Sequence, residues 1–211
     1  MEFRKVMKKN QEIEIKLQIK DEAEVEKIYT WLKSIAMDDL QSIEMKAIYY
    51  DTEDGFFNKH RIAYRVRREN KSIVATYKSG NVNKNGIFER VEINKVAKSV
   101  EPDITVFADE ALIWEVVKKV QNVDLKPIVV TDFTRKCAVI KWQNSQIEVA
   151  LDQGIVWGKN NKSPICELEL ELKDGNENDL LNLKEKLMQR FAIENSVISK
   201  YKKGLILAGL S

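Results

Sequence analysis

The chain has 211 residues, 44% hydrophobic and 32% charged, and its 35 Lys and Arg nearly cancel 33 Asp and Glu to leave a formal charge of +2. That length suffices for one domain with a sizeable core, and the near-neutral balance argues against a polybasic binder of nucleic acid. No apolar run reaches the roughly 18–20 residues of a membrane span, no hydrophobic signal region follows the basic start Met1–Asn10, and Cys137 and Cys166 have neither disulfide-framework nor zinc-site spacing, so a soluble protein of the reducing cytoplasm is expected.

Residues 1–10 match no structural pattern and are expected to form a flexible tail, with 11–211 as a single domain, because no repeat or linker interrupts them. Alternating apolar and polar residues predict strands at 11–19, 42–52, 60–69, 72–78, 86–95, 128–143, 145–152 and 164–173. Turn signals at Asp54-Gly55, Asn85-Gly86 and Asp174-Gly175 separate several of them. Helical spacing is found at 22–37, where Val25, Ile28, Tyr29, Leu32 and Ile35 recur, and again at 107–121 and 177–191, with a short helix near 199–210. The sum is an α+β chain built on a large, mostly antiparallel sheet.

The strands alternate an apolar row with an unusually pure charged row. Side chains two apart share a face of a strand, so Glu12, Glu14 and Lys16 lie together, with Ile13, Ile15 and Leu17 behind them. Arg65 and Arg67 pair in the same way, as do Thr76 with Lys78, Arg90 with Glu92, and Glu148 with Asp152. Glu167, Glu169 and Glu171 form a row of three carboxylates backed by Leu168, Leu170 and Leu172. For one strand the simpler account is a charged face in solvent. For all of them it strains, because like charges in a row repel unless counter-ions sit between them. A sheet curled with its charged faces inward meets that need: its lumen would suit a polyanion with bound cations, and helices at 22–37, 107–121 and 177–191 would cover the outer wall. Carboxylate oxygens suit Mg²⁺ or Mn²⁺, and Arg and Lys suit phosphate oxygens.

Glu12-Ile13-Glu14-Ile15-Lys16 is similar to the ExExK signature that opens the CYTH superfamily, the triphosphate tunnel metalloenzymes. The ordered set that follows strengthens the resemblance: Tyr50-Asp51-Thr52, Arg65-x-Arg67, Thr76-x-Lys78, Arg90-x-Glu92, Thr131-Asp132-Phe133 with Arg135, Gln146-Ile147-Glu148, Ala150-Leu151-Asp152-Gln153-Gly154, Ile165 to Glu171, and Ser199-Lys200. It spans about 11–204, and the LDQG and ICELELEL stretches resemble the bacterial inorganic triphosphatase branch. Longer members of that branch carry a CHAD domain after the tunnel domain, and this chain is too short to contain one.

The resemblance implies a closed eight-stranded antiparallel β-barrel tunnel binding a triphosphate moiety with a divalent metal, Mg²⁺ or Mn²⁺. It implies that Lys16, Arg65, Arg67, Lys78, Arg90, Arg135 and Lys200 hold the phosphates, with Lys78 also serving catalysis. It implies metal ligation by Glu12, Glu14, Glu167 and Glu169, helped by Asp152 and Glu171. Glu167, Glu169 and Glu171 are the candidates for orienting an attacking water, unranked by sequence. The expected activity is hydrolysis of inorganic triphosphate to pyrophosphate and phosphate, and members of the family often pair as homodimers. Nucleoside or thiamine triphosphatase, adenylate cyclase, and a polyphosphate-binding module without turnover are the alternatives, with loops such as 79–87 able to form a pocket for an organic group.

Other residues carry less chemistry. His60 is the single histidine and is expected in a solvated turn. Neither a G-x-S-x-G nor a P-loop motif occurs. Trp31, Trp114, Trp142 and Trp157 read as packing residues, and Tyr49 and Tyr50 could approach a substrate, with strand packing the better reading. Asp51 is a turn cap or a weak site candidate. Cys137 shares the parity of Arg135 and would face the lumen of a regular strand.

Overall fold

In a computed structural model of the protein, residues 10–82 and 86–211 are described. The expected tail therefore lies, but for Asn10, outside the described residues, as does the tip of the 79–87 loop. The strands are β1 (Gln11–Ile19), β2 (Gln41–Thr52), β3 (Ile62–Glu69), β4 (Ser72–Val82), β5 (Phe88–Val96), β6 (Leu125–Trp142), β7 (Ser145–Gly158), β8 (Asn161–Asp174) and β9 (Ile193–Ser196). The helices are α1 (Ala23–Ile35), α2 (Phe56–Lys59), α3 (Trp114–Val120), α4 (Glu177–Arg190) and α5 (Lys200–Ala208).

Eight strands close on themselves in the order β1-β5-β4-β3-β2-β6-β7-β8 and back to β1, with antiparallel pairing throughout. Closure pairs every strand of the ring on both sides for at least part of its length. The ninth strand was not expected: β5 pairs with β1 only over Gln11–Glu14, and β9 pairs along Lys16–Ile19.

The apolar rows of β1, β3, β4, β7 and β8 face outward and are covered. Ile13, Ile15 and Leu17 of β1, Ile147, Val149 and Leu151 of β7, and Leu168, Leu170 and Leu172 of β8 pack against α1 and α4. Tyr64 and Val66 of β3, with Ala75 and Tyr77 of β4, pack beneath α2 and α3. Burying such a side chain is worth about 1.5–3 kcal/mol, so the outer wall sets which way the alternating strands turn. The helix expected over 107–121 is only partly formed. Short 3₁₀ segments occupy Ile104–Phe107 and Ala111–Ile113, and α3 starts at Trp114. The tighter coil lets Ile104, Phe107 and Ile113 all reach the core.

The terminal helix has a different role from the other helices. Leu205 of α5 joins Val129, Phe133, Val156 and Ile165, whose side chains have the parity of the inward-facing Arg135, Asp152 and Glu167. So α5 lies across the lumen face of the barrel at one end. Two glycines permit this approach. A Cβ on Gly158 would meet the Gly204 carbonyl and come within 2.7 Å of the Ala208 nitrogen, and a Cβ on Gly204 would strike Val129. No helix among the described residues is long and apolar enough to cross a membrane.

Candidate functional site

The inward rows enclose a cavity of about 740 Å³ that runs through the barrel. At one end its lining includes the exposed Lys59, Arg61 and Lys202, and at the other the exposed Gln41, Asn94 and Lys173. Between them lies a belt of ion pairs made of the charges that the strand alternation places inward.

The densest knot surrounds Lys200, the first residue of α5. Its ammonium lies 2.6 Å from Asp152 Oδ2 and 2.9 Å from Glu169 Oε1, and it also contacts Glu167. Arg135 clamps Asp152 with two bonds, Nε to Oδ1 at 2.8 Å and Nη2 to Oδ2 at 2.6 Å, and reaches Glu169 as well. Lys16 lies 3.0 Å from Glu14 and also contacts Glu169. Burial alone would lift the Glu169 carboxyl, but Lys16, Lys200 and Arg135 together hold it well below the usual carboxylate range. Glu167 behaves oppositely: burial and the neighbouring Glu169 charge lift it, and Lys200 only partly offsets them. Two carboxylates two residues apart are thus driven in opposite directions.

A second knot joins β1, β4 and β5. Lys78 lies 2.7 Å from both Glu12 and Glu92, and Arg90 is 3.1 Å from Glu12 and also contacts Glu14. Burial opposes the Glu92 charge, but Lys78 and Arg65 hold its carboxyl far below the ordinary range. Thr76, the partner of Lys78 in the strand pattern, bonds Asn94 at 2.7 Å.

The arginines of β3 are less fully satisfied. Arg65 donates to Tyr49 Oη at 3.1 Å, and Arg67 pairs with Glu69. The Nε groups of both are buried without a hydrogen-bond partner. Burial and the like charges of Arg65 and Arg135 push the Arg67 guanidinium down to about 10. Such groups are poised for an anion. At the far end Lys173 lies 2.8 Å from Glu171 and 3.7 Å from Glu148. Burial raises the Glu171 carboxyl, and Lys173 offsets part of that rise.

The donor set fits a hard divalent cation. Asp152, Glu167 and Glu169 are buried, and each offers an oxygen within 4.8 Å of the others. Oxygen donors at that spacing suit Mg²⁺, Mn²⁺ or Ca²⁺ rather than a thiophilic metal. The cation these three share in the structure is the Lys200 ammonium. Glu12 and Glu14 stand on the adjacent strand, where Glu14 registers opposite Glu171 and Lys16 opposite Glu169.

The phosphate candidates Lys16, Arg65, Arg67, Lys78, Arg90, Arg135 and Lys200 all line this cavity, as do Glu12, Glu14, Glu169 and Glu171. Asp152 and Glu167 sit in the wall behind Arg135 and Lys200. Cys137 does face the lumen, where burial and Glu148 raise its thiol to about 11. Tyr49 packs as expected, buried and stacked on Tyr201 at 5.0 Å, but it does so on the inward side and also lines the cavity, whereas Tyr50 packs outward. Alternation groups Tyr49 with the apolar Ile43, Met45 and Ala47, so both its inward side and its pairing with Arg65 needed the strand register. Asp51 is a cap: it accepts from the Phe57 and Asn58 amides and fixes α2. His60 is exposed beside Phe56, and the four tryptophans are not among the described residues that line the cavity.

Comparison with known proteins agrees with this geometry. The sequence model of the CYTH domain matches residues 10–201. An inorganic triphosphatase of Haemophilus influenzae is 32% identical over 197 residues, covering 93% of this chain and 55% of that protein. The chain thus spans about half the length of that curated relative. Among solved structures, a Hippeastrum protein described as an adenylyl cyclase homologue with a dominant triphosphatase activity superposes with a TM-score of 0.68 at 19% identity, covering 92% of this chain and 94% of that one. A mimivirus capping-enzyme triphosphatase gives 0.52 at 17% identity, over 87% and 90%. At those identities the structures speak for the fold alone.

Proposed function

The chain belongs to the CYTH domain family, and from that premise we propose that it hydrolyses inorganic triphosphate to pyrophosphate and phosphate in the barrel lumen, using Mg²⁺ or Mn²⁺. The observation that carries this reading is the pair of buried, partnerless Nε groups on Arg65 and Arg67 in a lumen that also holds Lys78 and Arg90. Supporting it is the 32% identity to an inorganic triphosphatase.

Phosphoryl transfer to water asks a protein mainly to position the chain of phosphates and neutralise its charge. Arg65, Arg67, Lys78 and Arg90 take the phosphate oxygens on one side of the lumen, and Lys16, Arg135 and Lys200 on the other. Each of these cations except Arg65 is already within 3.5 Å of a lumen carboxylate, so substrate exchanges partners rather than meeting bare charges. That exchange keeps the desolvation cost of each cation already met before substrate arrives. Glu12, Glu14, Asp152, Glu167 and Glu169 would hold the divalent cation, which supplies further neutralisation of the phosphate oxygens.

Among the carboxylates proposed to orient water, Glu171 is the best suited. Glu169 is taken up by three cations, and Glu167 is held by Lys200 in the wall. Glu171 lines the cavity with Lys173 as its salt-bridge partner, and its raised carboxyl makes it a more basic acceptor than Glu169. Glu171→Gln then lowers kcat with KM little changed, about 10²-fold.

The test is phosphate release from tripolyphosphate, ATP and thiamine triphosphate, each with Mg²⁺, Mn²⁺ or EDTA. Metal-dependent turnover of tripolyphosphate about tenfold above the organic substrates, or 1.4 kcal/mol in transition-state binding, supports the reading. Better turnover of an organic triphosphate moves the assignment to that substrate, and binding without release leaves a polyphosphate-binding module.

A further inference from the structure

The two ends of the cavity differ in charge in a way that hydrolysis does not require. At the end beside α5, Lys59 ends α2, Arg61 follows that helix, and Lys202 lies in the first turn of α5. All three are exposed and all three line the cavity. Asn58 Nδ2 donates to the Leu210 carbonyl at 2.7 Å, so α2 and the end of α5 are held together on this rim. These three lining residues are all cations, and Asp54 lies near enough to Lys59 for their charges to interact. The N-terminus of α5, capped by Ser199 through a 3.2 Å bond from the Lys202 amide, adds its positive dipole end to the same side.

The opposite rim is acidic. Glu69, Glu148 and Glu171 line it, and its cations are already engaged: Arg67 with Glu69, and Lys173 with Glu171 and Glu148. A polyanion approaching there meets three carboxylates against two cations that are already paired with them.

We propose that the tunnel is used from one end: inorganic polyanions enter and leave through the Lys59, Arg61 and Lys202 rim, which steers them, while the Glu69, Glu148 and Glu171 rim repels them. This rests on the reading that a polyphosphate binds in the lumen. Clefts lined by one sign of charge raise association rates by about 10- to 10³-fold, and salt weakens the effect because the Debye length is about 10 Å at 0.1 M. Rim cations outside the belt contribute to capture and not to the chemical step.

The experiment compares wild type with K59E/R61E/K202E and with K33E/K118E/K186E, which makes the same charge change on the outer-wall helices. Steady-state tripolyphosphate turnover is followed from low to high salt. The expected result is a drop in kcat/KM of about tenfold or more at low salt for the rim variant, a flattened salt dependence, and kcat within about twofold. The outer-wall variant should track wild type. Should charge reversal disturb folding, K59Q/R61Q/K202Q with unchanged melting temperature gives a smaller drop of the same kind. Equal kcat/KM and equal salt slopes in wild type and rim variant would overturn the proposal, as would an equal loss in the outer-wall variant. If wild type binds tripolyphosphate without turning it over, only the hydrolase reading fails, and the same comparison is made on the association rate. If it does not bind, both readings fail.

Discussion

Replacing Lys200 by Met would keep the side-chain stem and remove the ammonium shared by Asp152, Glu167 and Glu169. Asp152 and Glu169 would still have Arg135, and Glu169 also Lys16, but Glu167 would lose its salt-bridge partner. Stranding a buried charge costs about 3–5 kcal/mol, and a chain of this size loses about 2–4 °C of melting temperature per kcal/mol. A fall of about 6–20 °C at pH 7.5 is therefore expected. The sign with pH is fixed. Glu167 already titrates above its ordinary value, and losing Lys200 raises it further, so the deficit narrows as pH falls toward the normal carboxylate range and Glu167 takes a proton. A divalent cation should also replace the missing charge, restoring about 2.7 kcal/mol at a hundred times its dissociation constant. Differential scanning fluorimetry with Mg²⁺, Mn²⁺ and EDTA reads all three effects without any substrate. A variant that melts with wild type, or one that Mg²⁺ and Mn²⁺ stabilise no more than wild type, would refute the shared-cation account.

Gly158→Ala forces a methyl into the Gly204 backbone. Overpacking of this kind costs about 1–3 kcal/mol, and lifting α5 should expose the Lys202 and Lys203 bonds to trypsin while weakening tripolyphosphate binding. Arg67 is crowded by Arg65 and held down to about 10 by burial, so Arg67→Met should leave stability at or above that of wild type in urea titration while lowering tripolyphosphate affinity. Glu92, Asp152 and Glu169 are held below their ordinary values by nearby cations. Their stabilisation is present above the unfolded carboxylate range and is lost as pH falls through the folded values. Acid unfolding should therefore take up several protons together and move to higher pH in Lys78→Met; an unchanged acid midpoint in that variant would count against the Lys78 pairs.

Much of this fold is legible in the sequence because period-2 alternation carries two messages at once. Ile13, Ile15 and Leu17 mark the covered wall, and Glu12, Glu14 and Lys16 on the opposite parity mark the lumen. The inward residues of β1, β3, β4, β5 and β8 follow from that pattern, and Cys137 follows Arg135 inward as its parity requires. But β2 inverts the pattern, lining the cavity with Ile43 and Met45 rather than Glu44 and Lys46. Closure and partner choice depend on register, which alternation leaves open. That Lys78 pairs with Glu12 and Glu92, or that Tyr49 meets Arg65, follows only once β4 stands beside β5 and β2 beside β3. The β9 segment Ile193–Ser196 is too short to announce itself, and it forms because β1 leaves an edge open beyond Glu14. The inward placement of α5 was equally hidden. Its apolar positions look like any amphipathic helix, and the informative residues are Gly158 and Gly204, whose missing side chains matter only when helix and strand meet.

The most direct test of the central claim is a crystal structure of the protein with tripolyphosphate and Mn²⁺, with anomalous scattering used to find the metal. The account predicts a triphosphate in the lumen against Arg65, Arg67, Lys78 and Arg90, manganese bound by carboxylates from the set Glu12, Glu14, Asp152, Glu167 and Glu169, and the Lys200 ammonium turned from those carboxylates to a phosphate oxygen. A triphosphate bound outside the barrel, or manganese held away from all five carboxylates, would contradict it.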